Sequence, residues 1–272
     1  MATVGTNFLT LADWAKRVDP DGNTSVIVDL LSQTNEIIDD MLWTECNQDV
    51  TYLTTVRTGL PQGTWRNLYQ GVQPTKSTTA QIQESVGNLE AYSQIDKDLA
   101  DKNGNTAEFR LTEESAFFEG MTQQVAQGFM YSSTFSTPNQ FMGLTPRYAN
   151  ATTSSALSAA NVIDMGGTAS TNTSIWVAQW GPNTGFGLFP KGKMAGLQHL
   201  DMGQQMIQNS DGSKYQAYVS HFKWEMGMCV RDWRYFARLA NIDVTLLNGV
   251  NAANLINGTV RMLHRFPTAP RS

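Results

Sequence analysis

Residues 109–130 read FRLTEESAFFEGMTQQVAQGFM, and their reading decides the fold. Thr112 is a good N-cap, because its hydroxyl can accept an orphan backbone N–H. Glu113 and Glu114 would then stand in the first turn, where the helix dipole favours carboxylates. Leu111, Phe118, Met121, Val125 and Phe129 follow along one narrow face of a 3.6-residue helix. The spacing predicts a helix over 112–131, a rod of roughly 30 Å at 1.5 Å per residue. Residues 132–138, ending in Pro138, stop it.

Upstream the pattern changes twice. Residues 1–49 read as helical. Thr10 and Asp13 form a capping-box-like start, Pro20 and the turn Asp21-Gly22 end that helix, and a second begins at Asn23 or Thr24. Ile27, Leu30, Leu31, Ile38, Met41 and Leu42 recur at helical spacing in the second. These two amphipathic rods need some other surface to lie on. Residues 50–98 are different. Val50 to Val56 alternates like a half-buried strand, and Ser85 to Ile95 is strand-like again. Between them lies a polar stretch punctuated by Pro61, Gly63, Gly71 and Pro74. We expect a long two-stranded excursion with a mobile tip, against the alternative of a disordered surface loop. A two-stranded ribbon is only marginally stable alone, so it makes sense laid across a neighbour.

Downstream, residues 149–174 are dominated by Ala, Thr, Ser, Asn and Gly and read as the least structured stretch. Ile175 to Trp180 reads as a strand. Tyr215 to Val230 is the best strand of all, with Phe222, Trp224, Met226, Met228 and Val230 on one side and His221, Lys223, Glu225, Cys229 and Arg231 on the other. Asp211-Gly212 marks the turn before it. The tail, about 251–265, reads as a helix halted before Pro267. The order is helix, β excursion, long helix, then mixed elements: an α+β protein.

Composition narrows the function classes. The chain has 272 residues, 16% charged and net −5. The charged share is below the roughly 25% of ordinary soluble domains. A surface that is polar but weakly charged can be covered by neighbours without burying ions. The chain lacks the dense basic patch that duplex binding needs. Cys46 and Cys229 lack CxxC spacing and are expected to be reduced thiols. No apolar run approaches the roughly 18–20 residues of a membrane span, and the N-terminus carries no signal-peptide pattern.

Catalytic motifs are near-misses. Gly187 to Lys193, GLFPKGK, fits G-x-x-x-x-G-K, but Met194 stands where a phosphate loop needs Ser or Thr, and Pro190 removes an amide. A strand-to-turn connection is the better expectation. Asp19, Asp21 and Asn23 copy the start of a calcium loop, yet Thr24 and Leu30 occupy the positions that need Gly and Glu. His199, His221 and His264 are scattered. No cofactor, metal or catalytic residue is assigned. Trp176, Trp180, Trp224 and Trp233 lie in regular elements and read as core. Trp65 and Tyr69 lie near the tip of the polar excursion, where a monomer would leave them wet. Aromatic residues there suit an anchor between subunits.

Four segments in order carry a family resemblance: 109–130; 141–148, FMGLTPRY; 180–197, WGPNTGFGLFPKGKMAGL; and 224–243, which contains RDWRYFARLANID. Together they resemble the major capsid proteins of tailed bacteriophages with the Hong Kong 97 type fold, closest to a podovirus-like branch. The resemblance covers most of residues 8–245. It implies an N-terminal arm at 1–49, an extended hairpin loop at 50–98, a peripheral domain at 99–148 with the spine helix, and an axial domain with returning peripheral strands at 149–272. Members of this branch continue for tens of residues beyond the point matching Ser272, which implies a sequence that is incomplete, processed or a shorter variant. The implied function is a structural subunit, not an enzyme, joining pentamers and hexamers into an icosahedral virion shell around double-stranded DNA. A weakly acidic inner face would let the genome slide.

The implied partners are further copies of the chain, a portal, scaffolding activity and a cement protein, with DNA held only by proximity, no membrane, and assembly in the host cytoplasm. Contact candidates are Trp65, Arg66, Tyr69 and Lys76 in the loop and Phe8 and Trp14 in the arm. Some relatives weld subunits through Lys–Asn isopeptide bonds. Lys76 has no assignable partner, and no crosslink is expected. A hydrolase would instead show a deep pocket with convergent polar groups, and a decoration or tail protein a compact β barrel or sandwich.

Overall fold

The computed structural model describes residues 8–11, 13, 35–149, 157–168, 170–247 and 250–267. Trp14, the calcium-loop look-alike and most of the expected second helix lie outside them. Thr10 and Asp13 do form the expected reciprocal cap. The Thr10 hydroxyl donates to the Asp13 carboxylate at 2.7 Å, and the Asp13 N–H returns to the Thr10 oxygen at 3.3 Å.

The excursion is a β-hairpin. Strand β2, Thr51–Gly59, pairs antiparallel with β3, Thr78–Asp96, from Thr51↔Ser85 to Gly59↔Thr78. The ladder rules out the disordered-loop alternative for the strands themselves. β3 begins at Thr78, before the expected Ser85; Thr78–Gln83 holds one large apolar residue, Ile82, too few to display a period. Residues 60–77 close the hairpin without regular structure.

β3 is also part of a larger mixed sheet. Its other strands are β1, Trp43–Glu45; β6, Gly185–Phe189; β7, Gln198–Gln208; and β8, Lys214–Val230. The order is β1-β6-β8-β3-β2, with β7 also on β8. β1 runs parallel to β6, and β8 runs antiparallel to β6 and β7. Gly212, at φ +85°, and the Asp211 carboxylate capping Ser213 N–H make the expected turn into β8. Phe222, Trp224, Met226, Met228 and Val230 are all buried, as their alternation predicts. The opposite file is covered too: Cys229 is fully buried and His221, Lys223 and Glu225 are half-buried.

A second sheet follows in the order β4-β9-β5: Val162–Asp164, Phe236–Asp243 and Asn172–Ala178. The tail helix, Val250–Leu263, packs Met262 into a core of Ile163, Ala237, Leu239, Ile242 and Phe266.

The chain falls into two compact units, each discontinuous in sequence. The long helix, Thr106–Tyr131, contributes residues to both, as do β3 and β8. In the unit holding residues 88–127 and 196–225, Phe117 stacks on Phe222 at 5.5 Å and Phe118 meets it edge-on at 5.3 Å. Ile95, Ala100 and Phe109 form a core there, with Leu9 packed against it. In the other unit, Phe129 is wholly buried against Trp43 and Phe141. Gly143 abuts the end of the helix: an added Cβ would lie 2.8 Å from the Gly128 carbonyl oxygen and 3.0 Å from that of Phe129.

The same unit holds an ion pair between buried Glu84 and half-buried Arg147. Arg147 donates through both terminal nitrogens to the two oxygens of Glu84, at 2.6 and 2.7 Å, and also to the Met142 carbonyl at 3.2 Å. Glu84 is on β3, and Arg147 ends a one-turn helix, Leu144–Arg147. A bidentate pair of this kind fixes both direction and distance.

Several expectations need correction. The long helix starts at Thr106, not Thr112. Asn105 and Glu108 bond side chain to side chain at its start, while Thr112 sits inside the helix and bonds back to the Glu108 carbonyl. Glu113 and Glu114 are therefore not first-turn acids, and Leu111 is exposed while Phe109 is buried. Of the stretch expected to form the second helix, the described residues are helical at Glu36–Asp40, and Met41 and Leu42 lie beyond that helix. Within 149–174, Val162 and Ile163 form a buried strand too short to show periodicity. Of the four tryptophans read as core, only Trp224 is buried; Trp176, Trp180 and Trp233 are half-buried.

Two outcomes test this packing. Glu84→Gln should lower the stability of the unassembled subunit by about 3 kcal/mol, because Arg147 keeps the Met142 carbonyl but loses its counter-charge. A urea-denaturation loss below about 1 kcal/mol would mean the pair is energetically idle. Gly143→Ala should cost about 2 kcal/mol, since backbone oxygens cannot yield as a side chain can; an unchanged midpoint would show that the helix end gives way.

Candidate assembly surfaces

The hairpin tip gathers four of the six residues singled out by sequence: Trp65, Arg66, Tyr69 and Lys76. Trp65 and Tyr69 are wholly exposed, and Leu60 and Leu68 nearly so. The tip is held by its own bonds. Arg66 donates to the Gln70 carbonyl at 3.1 Å, Gln70 N–H to the Asn67 carbonyl at 3.2 Å, and Thr75 to the Gln62 carbonyl at 3.2 Å. Tyr69 stands at φ +68°, a left-handed conformation that costs a side chain of this size roughly 1–2 kcal/mol. A turn selected only to close a loop would place Gly or Asn there.

Phe8 is in the other unit. It is 45% exposed and lines a cavity with Leu9, Tyr92, Ile95, Glu113 and Phe117. Sequence reasoning passed over Leu60, Leu68 and Val72, exposed at the tip, and Ile256, Val260 and Leu263, an exposed stripe on the tail helix. The signal was present in both places as large apolar residues with no covering element.

A polar cluster around Glu114 is structural in form. Glu114, buried mid-helix, accepts from Ser220 Oγ at 2.5 Å, while Arg110 donates to Ser220 at 3.2 Å and to Asp201 at 2.7 Å. His199 Nε2 lies 3.7 Å from Glu114. Ser220 thus donates a hydrogen bond to a carboxylate and accepts one from a cation, an arrangement that ties three elements together. The Arg110 bond, then the Gly203 amide, holds Asp201 below the usual carboxylate range. Burial works against the Arg110 charge, but Asp201 and Glu114 outweigh it and raise its pKa.

The near-miss phosphate loop is a strand end and turn, as expected. Its amides are taken within the chain: Lys191 N–H donates to the Asp49 carbonyl and Gly192 N–H to the Glu45 carboxylate. Cys46 and Cys229 share a small core with Phe186 and Leu188. Burial pushes their thiols up to about 11 and about 12, so both stay protonated and unreactive at neutral pH. Among the described residues, no three His, Cys, Asp or Glu side chains gather as a metal site requires.

Comparison with known proteins gives this geometry a context. The family model for Major capsid protein GP7 matches residues 19–271. A chain of the near-atomic structure of bacteriophage Epsilon15 is 31% identical and superposes with a TM-score of 0.78, over all of this chain and 82% of that one. Two more distant structures share the fold, each at 12% identity over 87% of this chain. They are the encapsulin SrpI of Synechococcus elongatus PCC 7942, TM-score 0.55 over 98% of that chain, and the capsid of a native GTA particle, TM-score 0.52 over 99%. No curated protein sequence matches the chain. An α+β architecture of the Hong Kong 97 type, a family match across nearly the whole length and wet aromatic residues on a projecting hairpin agree: the chain belongs to the Major capsid protein GP7 family, and it is a structural subunit of a tailed-bacteriophage capsid, not an enzyme.

Proposed function

We propose that the hairpin tip is the anchor by which each subunit holds its neighbour in the shell. Trp65 and Tyr69 bury against the next copy, Arg66 and Lys76 orient them, and Phe8 and Trp14 of segment 1–49 tie down a second neighbour as an arm. Residues 99–148 and 149–272 then act as the peripheral and axial parts around which pentamers and hexamers form. Portal, scaffolding and cement proteins complete the particle in the host cytoplasm. The genome is enclosed by proximity alone, consistent with a chain of net −5.

The observation that carries this reading is the full exposure of Trp65 and Tyr69, with Tyr69 in a left-handed turn. An exposed Trp and Tyr contribute nothing to the isolated fold. Buried in an interface, each is the residue type that dominates binding energy, at about 2 kcal/mol or more when truncated.

Trp65→Ala with Tyr69→Ala should leave the subunit's thermal midpoint and circular dichroism unchanged. Its yield of closed shells, counted by electron microscopy and sedimentation, should fall by about tenfold or more. Wild-type shell yield from the double variant would refute the anchor.

A further inference from the structure

Charge is segregated along this chain in a way that singles out a partner for the tip. Residues 57–83 carry Arg57, Arg66 and Lys76 and no acid, although the chain as a whole is net −5. Residues 18–56, immediately before them, carry eight carboxylates and not one Lys, Arg or His. Within the described part of that stretch, Asp39, Asp40, Glu45 and Asp49 are all exposed, interleaved with the exposed apolar residues Leu42 and Val50. They flank β1. The tip and this ledge therefore match twice, in sign of charge and in their exposed apolar content.

The two surfaces cannot meet within one copy. β1 and β2 are opposite ends of the path β1-β6-β8-β3-β2, four strand spacings or about 19 Å apart. The tip lies a further nine-residue strand beyond the base of β2, about 30 Å at 3.3 Å per residue. Both separations exceed the screening length of about 8 Å at physiological salt. The occupant of the tip must come from elsewhere, and a second copy of this chain supplies the complementary surface.

We propose that the Arg66–Lys76 tip of one subunit docks on the Asp39, Asp40, Leu42 ledge beside β1 of the next. This rests on the reading of the tip as an intersubunit anchor and names its receptor. Complementary patches at two different places on one chain make a heterologous, head-to-tail contact, the type that closes into rings when the rotation permits.

The test is a charge swap in the full chain. Arg66→Glu with Lys76→Glu should cut shell yield at physiological salt by about tenfold, because like charges then face each other. Asp39→Lys with Asp40→Lys should do the same, and the four-fold variant should recover yield to within about threefold of wild type. All six positions altered here or in the anchor test are exposed, and thermal midpoints check that each variant is folded. As a second readout, a zero-length carbodiimide on wild-type shells should join Lys76 to Asp39 or Asp40 of another copy, identified by mass spectrometry. Failure of the swap to restore assembly, or Lys76 coupled only to other carboxylates, overturns the proposal. If either result comes while Trp65→Ala with Tyr69→Ala still abolishes shells, the anchor stands and only its receptor is wrong. If neither tip variant impairs assembly, both readings fall.

Discussion

Everything distinctive about this subunit depends on one strand being too long for its hairpin. A free two-stranded ribbon in water is marginal. β3 escapes that limit because it runs on past its pairing with β2, as a single strand from Thr78 to Asp96, beside β8 in the larger sheet. The ribbon is thus cantilevered from a core. Two details fix the joint. Gly227 on β8 lets the strands close up, since a Cβ there would come within 2.7 Å of the Ser85 carbonyl oxygen. One residue earlier on β3, Glu84 is clamped by Arg147. The base of the hairpin is consequently stiff, while its tip, held by three local bonds, is free to present aromatic residues to another surface.

That division explains which parts of the fold were legible in the sequence. β8 was read almost residue for residue, because one of its faces is a continuous apolar file, Phe222 to Val230. The hairpin was visible as two alternating runs, but its outer half was not: Thr and Gln carry no hydrophobic period. The long helix was recognised from Met121, Val125 and Phe129, yet its start was misplaced. Thr112 has the right chemistry for a cap, and nothing local reveals that Asn105 and Glu108 had already performed the task. Glu114 shows the limit most clearly. Beside Glu113 it reads as a dipole-facing acid, and only the fold brings Ser220, distant in sequence, to within 2.5 Å of it.

The candidate surfaces show the converse. Trp65 and Tyr69 were identified because they were out of place, large aromatics in a stretch of Gly, Gln and Thr. An interface residue on a projecting loop keeps the sequence signature of exposure around it and so stands out. One in a helix does not: Ile256, Val260 and Leu263 follow the same spacing as the buried face of the same helix, and only burial separates them. Trp176 was misread for a related reason, since a strand's two faces look alike when both carry apolar residues, while Trp180 lies past the end of its strand and Trp233 in a short helical turn.

A low charge density and a segregated charge pattern serve the same end. A subunit covered on most sides by copies of itself would bury any evenly spread charge, at a desolvation penalty that ion pairs rarely repay in full. Removing charge from most of the surface avoids this. Placing three basic residues and no acid at 57–83, and eight carboxylates with no Lys, Arg or His at 18–56, creates one complementary pair of sites among these charges. Because the sheet holds these two sites apart, identical copies satisfy them in a directional chain, each giving its tip and receiving another. A closed shell follows from such a contact only if its angle is fixed, and the stiffness of the β3 joint, with Glu84 locked to Arg147 and β8 drawn in at Gly227, is what fixes it.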